Sequence, residues 1–158
     1  MPTIHLTTYI AASSQVVFDL SRHITVYKES MAPYKLEAVA GTRFGLIEQG
    51  DTVTWRSHQL FKERLQRVKY VELQRPDVIV EVQLQGDLTS LRHEHHFKSI
   101  DNGMLLIDLL DFEVPYGRIG RWFNSLYFTR YMESLLHRRN ETIKRFAETD
   151  RWKKILIK

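Results

Sequence analysis

Apolar and polar residues alternate through most of residues 78 to 114, and short turn sequences break the alternation twice. The stretch reads as three antiparallel strands, Val78 to Gln85, Leu88 to Ile100 and Met104 to Val114. A two-residue hairpin turn dictates which side chains lie opposite each other. With Gly86-Asp87 as the first turn, Val82 falls opposite Leu91, Val80 opposite His93 and Val78 opposite His95. Asn102-Gly103 is the preferred pair for a type I′ turn; it sets Phe97 opposite Asp108, His95 opposite Leu110, His93 opposite Phe112 and Leu91 opposite Val114. His93, His95 and Asp108 then share the apolar face. The other face carries Glu81 against Arg92 and Arg92 against Glu113, an opposite-charge row suited to solvent, with Glu94 against Asp111 as the mismatch.

The same periodicity orders the rest of the chain. Thr3 to Ile10 predicts a strand, and Ser13 or Ser14 can cap a short helix carrying Val16, Val17, Phe18 and Leu20. A second short helix is expected from about His23 to Met31, ending before Pro33. Tyr34 to Phe44, Asp51 to Phe61 and Arg64 to Gln74 read as further strands. After Pro115-Tyr116-Gly117 the period changes. Ile119, Phe123, Leu126, Phe128, Met132, Leu135, Leu136, Ile143, Phe146 and Ala147 form a broad stripe on one long helix. Arg118, Arg121, Arg130, Arg138, Arg139, Lys144 and Arg145 take much of its remainder.

With 158 residues and 43% hydrophobic content, the chain suits a single domain over residues 1–150 followed by a basic tail at 151–158. The net charge of +4 is too modest to require a nucleic-acid partner. The absence of Cys excludes disulfides, thiol catalysis and Cys-ligated zinc. No apolar run approaches the ~18 residues of a membrane span, and the start Met-Pro-Thr-Ile-His lacks a secretory pattern. A soluble, cytoplasmic protein is expected.

Ile10-Ala11-Ala12 through Leu20, Gly50-Asp51-Thr52-Val53-Thr54-Trp55, Leu91 through Phe97, Asp108 through Gly117 and the segment Leu135 to Asn140 together resemble the START-like superfamily, also called SRPBCC. That superfamily includes birch-pollen allergens, polyketide cyclase/dehydrases and coenzyme Q-binding proteins. The pattern is nearest a bacterial branch with members labelled cell-division inhibitors. Ala12-Ser13 stands where many members have Ala-Pro. The resemblance implies an α+β helix-grip fold: a curved seven-stranded antiparallel sheet around a long C-terminal helix, with two short helices and an internal cavity for an apolar or lipid-like ligand. Ligand identity does not transfer between branches of such a fold.

Three roles compete for the inward trio. It can be a neutral core network, satisfied by backbone, side chains or water. It can orient a ligand, with His93, His95, Trp55, Val78, Val80, Leu91, Leu110 and Phe112 forming the pocket; this is the favoured functional expectation. Trp55 joins the wall because Val53, Trp55 and Phe61 share a strand parity, while His58 has the opposite one. The third role is catalytic. His95 and Asp108 would then be an acid/base pair acting on a polyketide-like carbonyl substrate, as cyclase/dehydratase relatives imply.

A buried Asp108 needs a partner in any of these roles: His95 on the diagonal, or Tyr127, Arg130 or Tyr131 on the helix. A metal held by His93, His95 and Asp108 is the least favoured arrangement, so neither metal nor cofactor is expected. The expected partner is a small hydrophobic molecule. Contact of the basic helix and tail with anionic lipid is a weaker alternative, and no oligomeric state follows.

Overall fold

The computed structural model describes residues 3–115 and 118–157. Its strands are β1 (Thr3–Ile10), β2 (Glu37–Gly41), β3 (Thr52–Gln59), β4 (Lys62–Gln74), β5 (Val78–Gln85), β6 (Ser90–Ile100) and β7 (Gly103–Glu113). Between β1 and β2 lie α1 (Ser14–Ser21), α2 (Ile24–Ser30) and a single 3₁₀ turn at Ala32–Tyr34. The long α3 (Arg118–Ala147) and the short α4 (Arg151–Leu156) follow β7. All seven strands form one antiparallel sheet in the order β1-β7-β6-β5-β4-β3-β2. The architecture is the α+β helix-grip arrangement that the resemblance implies.

Local chemistry places the ends. The Ser13 hydroxyl accepts from the Val16 N–H and caps α1, and His23 Nδ1 accepts from the Thr25 N–H to cap α2. The strand expected over Tyr34 to Phe44 contracts to Glu37–Gly41, because Ala32–Tyr34 closes a 3₁₀ turn and Lys35 takes φ 53. The tail is folded: α4 packs Trp152, Ile155 and Leu156 against the main core. Arg151 bonds Glu29 at 2.7 Å and covers the Phe146 ring at 4.1 Å.

The main core joins α1, α2 and the end of α3 to the inner face of the sheet through residues such as Phe18, Ile47, Met104, Ile143 and Phe146. A second cluster, with Leu91, Leu110, Phe112 and Leu136 at its centre, lies toward the earlier half of α3. Within the expected helical stripe, Leu126 is 65% exposed, so the apolar face of α3 narrows there. The side chains of Ile119 and Phe123, and Tyr116-Gly117, lie outside the described residues.

Both hairpin registers differ from expectation, with different consequences. At β6–β7 the loop is Asp101-Asn102, with Asn102 at φ 66, so Ile100 pairs with Gly103 and His95 stands directly opposite Asp108. Gly103 serves a close approach: a Cβ there would meet the Ile10 carbonyl oxygen of β1 at 2.5 Å. That shift keeps the parity of facing, so the inner face is as expected. At β5–β6 the loop has four residues, 86–89, and Glu81 pairs with His93, Ile79 with His95 and Val80 with Glu94. Leu88 packs beneath the loop against the second cluster and Gln83 Nε2 donates to its carbonyl at 2.8 Å, so a two-residue turn gives way. This shift reverses β5. Glu81 points inward, and the expected Glu81–Arg92 surface pair does not form; Arg92 lies opposite Asp111 and bridges to Glu94 at 3.4 Å.

Candidate functional site

Two adjacent rungs of the sheet build the site. One runs Tyr70, Glu81, His93, Leu110 and Ile4 across β4, β5, β6, β7 and β1. The next runs Ile79, His95, Asp108 and Leu6. Alternation turns these side chains toward α3. On α3, Leu136, Asn140 and Ile143 follow a helical period and are all buried, with Arg139 beside them. The helix therefore presents a polar step, Arg139 and Asn140, to the polar rungs of the sheet.

These groups form a buried network. Asp108 Oδ1 lies 2.8 Å from His93 Nε2 and 2.9 Å from His95 Nδ1. Its Oδ2 accepts from Asn140 Nδ2 at 2.7 Å, and that amide also donates to Thr8 Oγ1 at 3.1 Å. Glu81 Oε1 lies 3.4 Å from His93 Nδ1 and 3.8 Å from His95 Nε2. The imidazoles stack with centroids 3.7 Å apart. Arg139 donates from Nη2 to the Ser21 carbonyl at 3.0 Å and brings Nη1 to 3.4 Å from His95 Nδ1. Asp108 and Asn140 are fully buried and His95 is 1% exposed. Such a carboxylate must find partners, and three neighbouring side chains supply them.

Burial pushes both carboxyls up, yet the two imidazoles outweigh it and hold Glu81 and Asp108 well below the carboxylate range. Burial lowers His93, and the carboxylates of Asp108 and Glu81 more than offset it, so its pKa is raised. Tyr27 is pushed up to about 12 by burial and by Glu81, against Arg139. It stays a protonated donor.

The network should leave a pH signature. Carboxyls with depressed folded values contribute stability above their ordinary pKa and lose it as pH falls through the folded ones. A raised imidazole contributes fully below its ordinary value and loses it as pH rises through the folded one. The contribution should therefore be full between about 4.5 and 6.5 and decline on both sides. Urea melts across pH would check this, and the alkaline decline should shrink in His93→Gln.

Beside the network lies a cavity of about 190 Å³. Its apolar wall includes Trp55, Val68, Leu91, Leu110, Phe128 and Leu136, and Glu81, His93 and Arg139 reach it from the polar side. Tyr27 stacks on Trp55 at 4.8 Å and lies under Arg139 at 5.4 Å. Toward solvent the lining passes to Leu60, Leu65, Asp87 and Leu88, where Arg64 bonds Asp87 at 2.7 Å. Tyr131 donates to Gln59 at 2.6 Å across the gap between α3 and β3.

Of the expected pocket residues, His93, Trp55, Leu91 and Leu110 line this cavity. His95 lies behind His93, and Phe112 is buried in the second cluster. Val78 and Val80 pair with His96 and Glu94 on the opposite face, a consequence of the one-residue slip in the β5–β6 register. Phe61 is fully exposed at the β3–β4 turn with φ 69, where strand parity no longer applies. His58 is exposed, as its parity predicts.

The partners of Asp108 are His93, His95 and Asn140 in place of Tyr127, Arg130 or Tyr131. Expected on the polar side of the helix, Arg139 is 6% exposed and faces the site. Glu81, Arg139 and Asn140 were legible in principle. Glu81 is the lone charge in the run Val78 to Val82, and Arg139 and Asn140 fall three and four residues after Leu136 within the apolar stripe.

The chain matches no family model and no curated protein by sequence. Solved structures match it over nearly its whole length. A START superfamily protein from Mycobacterium smegmatis aligns at TM-score 0.68 with 15% identity, covering 92% of this chain and 97% of that one. The chain has the START-like fold. Ginseng major latex-like protein 151 from Panax ginseng shares this START-like fold at TM-score 0.67 and 14% identity, over 94% and 98% of the two chains. The di-domain ARO/CYC StfQ from the steffimycin biosynthetic pathway aligns at TM-score 0.73 and 13% identity, over 92% of this chain and 50% of StfQ. Among the described residues no helix is long and apolar enough to cross a membrane.

Proposed function

We propose that this START-like domain binds a small, largely apolar molecule between the sheet and α3, with a polar end of the ligand directed at His93, Glu81 and Arg139. The observation that carries this reading is the cavity itself. Its wall is mostly hydrocarbon, while three buried polar side chains converge on one side of it. That division suits burial of an apolar body together with a few directed hydrogen bonds. The His93–Asp108 contact fixes the imidazole, so the orienting group is held in place before a ligand arrives.

Native mass spectrometry of the purified protein, followed by organic extraction, is expected to yield an apolar compound in stoichiometric amount. An environment-sensitive apolar fluorophore such as anilinonaphthalene sulfonate should compete with it. Failure of both the extract and the fluorophore to show occupancy would overturn the proposal.

A cyclase/dehydratase activity is the second reading, favoured by one contact. His93 is both on the cavity wall and hydrogen-bonded to Asp108, which is the geometry of an oriented acid/base imidazole. In that reading His93, with Glu81 beside it, carries the proton transfer in place of His95, which lies behind it. Turnover of an aromatic polyketide-type carbonyl substrate that disappears in His93→Gln but survives in His58→Ala would support it.

A further inference from the structure

We propose that Glu81, His93 and His95 form a binding site for a divalent transition-metal ion of the zinc type, with Asp108 as the group that aims the two imidazoles. One ligand atom from each of Glu81, His93 and His95 lies within 4.8 Å of the other two; Glu81 Oε1 is 3.4 Å from His93 Nδ1 and 3.8 Å from His95 Nε2. Tetrahedral ligands at the ordinary zinc distance of about 2.0–2.1 Å are about 3.3 Å apart. The 3.4 Å and 3.8 Å separations from Glu81 to the two imidazoles are therefore near what an ion requires.

The hydrogen bonding points the same way. Asp108 Oδ1 faces His93 Nε2 at 2.8 Å and His95 Nδ1 at 2.9 Å, and a carboxylate in that position takes the N–H of each ring. The lone pairs left on His93 Nδ1 and His95 Nε2 then converge on a second carboxylate, Glu81. Three electron-rich atoms facing one another call for a positive centre between them. His95 Nε2 has no hydrogen-bond partner although it is buried. Asn140 anchors the other oxygen of Asp108 at 2.7 Å, completing the carboxylate–histidine support found behind metal ligands.

Asp108 is thus not the third donor that a two-histidine, one-carboxylate set would draw from the sequence; the third donor is Glu81. The charges also suit an ion. Glu81 and Asp108 together neutralise the dication, and the nearby Arg139 brings its Nη1 to the Nδ1 side of His95, away from Nε2. Glu81 and His93 line the cavity, so an ion between them would keep a coordination position toward it for water or a ligand oxygen. The competing occupant of the same space is the proton: with both rings protonated, the two histidines and two carboxylates form a neutral, metal-free cluster.

The test uses the full chain, stripped with a chelator and titrated with Zn²⁺ against a chromogenic competitor, and with Co²⁺ followed by its visible absorption. A single tight zinc and the intense cobalt bands of a four-coordinate site are expected. Asp108→Asn should weaken zinc roughly 10–100-fold. Glu81→Gln, which keeps the side-chain volume, should weaken it and alter the cobalt spectrum, whereas His58→Ala and His137→Ala should change neither. Zinc held no more tightly by the native chain than by Glu81→Gln, or a cobalt spectrum like that of the hydrated ion, would overturn the proposal and leave the proton cluster in its place. The measurement needs no organic ligand, so its outcome is separate from that of the cavity proposal.

Discussion

Asp108→Ala is expected to lower the unfolding free energy by about 3–5 kcal/mol, the range for breaking a buried charged pair by removing one partner. For a domain of this size that corresponds to roughly 6–20 °C in Tm. Asp108 is fully buried, and its two oxygens satisfy His93, His95 and Asn140. Alanine leaves those three groups facing a void lined by polar atoms, beside a Glu81 whose countercharges have lost their anchor. Asp108→Asn should cost less, because the amide oxygen can still accept from one imidazole. Urea denaturation followed by circular dichroism would measure both. A loss for the alanine variant of under about 1 kcal/mol, the worth of an ordinary hydrogen bond, would show that the network is not a structural keystone.

Ser57→Phe is expected to weaken ligand binding about 30-fold while leaving the fold intact. Ser57 lies on β3, 6% exposed, with its side chain on the cavity wall. A phenyl group there occupies space that ligand hydrocarbon would fill. Excluding two to three methylene groups costs about 2 kcal/mol at ~0.8 kcal/mol each, which is about 30-fold in Kd. The hydroxyl accepts one hydrogen bond, from Gln59 Nε2 at 2.7 Å, so its loss should cost only about 1 kcal/mol of stability. Fluorophore displacement and recovery of the co-purifying compound would both report the loss. Unchanged binding in a folded Ser57→Phe protein would place the ligand elsewhere. Zinc binding should survive this substitution, since Ser57 touches none of the three donor atoms' contacts described above.

An even slip of register keeps every side chain on its face and an odd one reverses the strand, and the two hairpins show one of each. Moving the second turn from Asn102-Gly103 to Asp101-Asn102 slides the pairing by two residues and leaves every facing residue on its face, so His93, His95 and Asp108 converge as expected. At the first hairpin the pairing slips by one residue, with Val82 facing Arg92 in place of Leu91. The slip moves Val78 and Val80 off the wall and brings Glu81 onto it. Glu81 stands out as the lone charge in Val78 to Val82, but the turn residues do not show the slip, because Leu88 packs under the loop against residues of β7 and α3. Arg139 faces inward for a related reason. A long cationic side chain on a helix defaults to solvent, unless a buried carbonyl such as that of Ser21 and a cluster of carboxylates await it.

The order of elements, the antiparallel pairing of neighbours, the long closing helix and the inward aim of the two histidines and Asp108 are all written in local patterning. Each follows from short-range periodicity, since a strand repeats every two residues and a helix every 3.6. Long-range packing is what makes Glu81, Arg139 and Asn140 complete the cluster and sets His95 behind His93, out of reach of the cavity. Those outcomes depend on loop length and helix rotation. Both are settled by contacts between distant segments, where burying Leu88 and fitting Gly103 beneath β1 outweigh the preferences of an isolated turn.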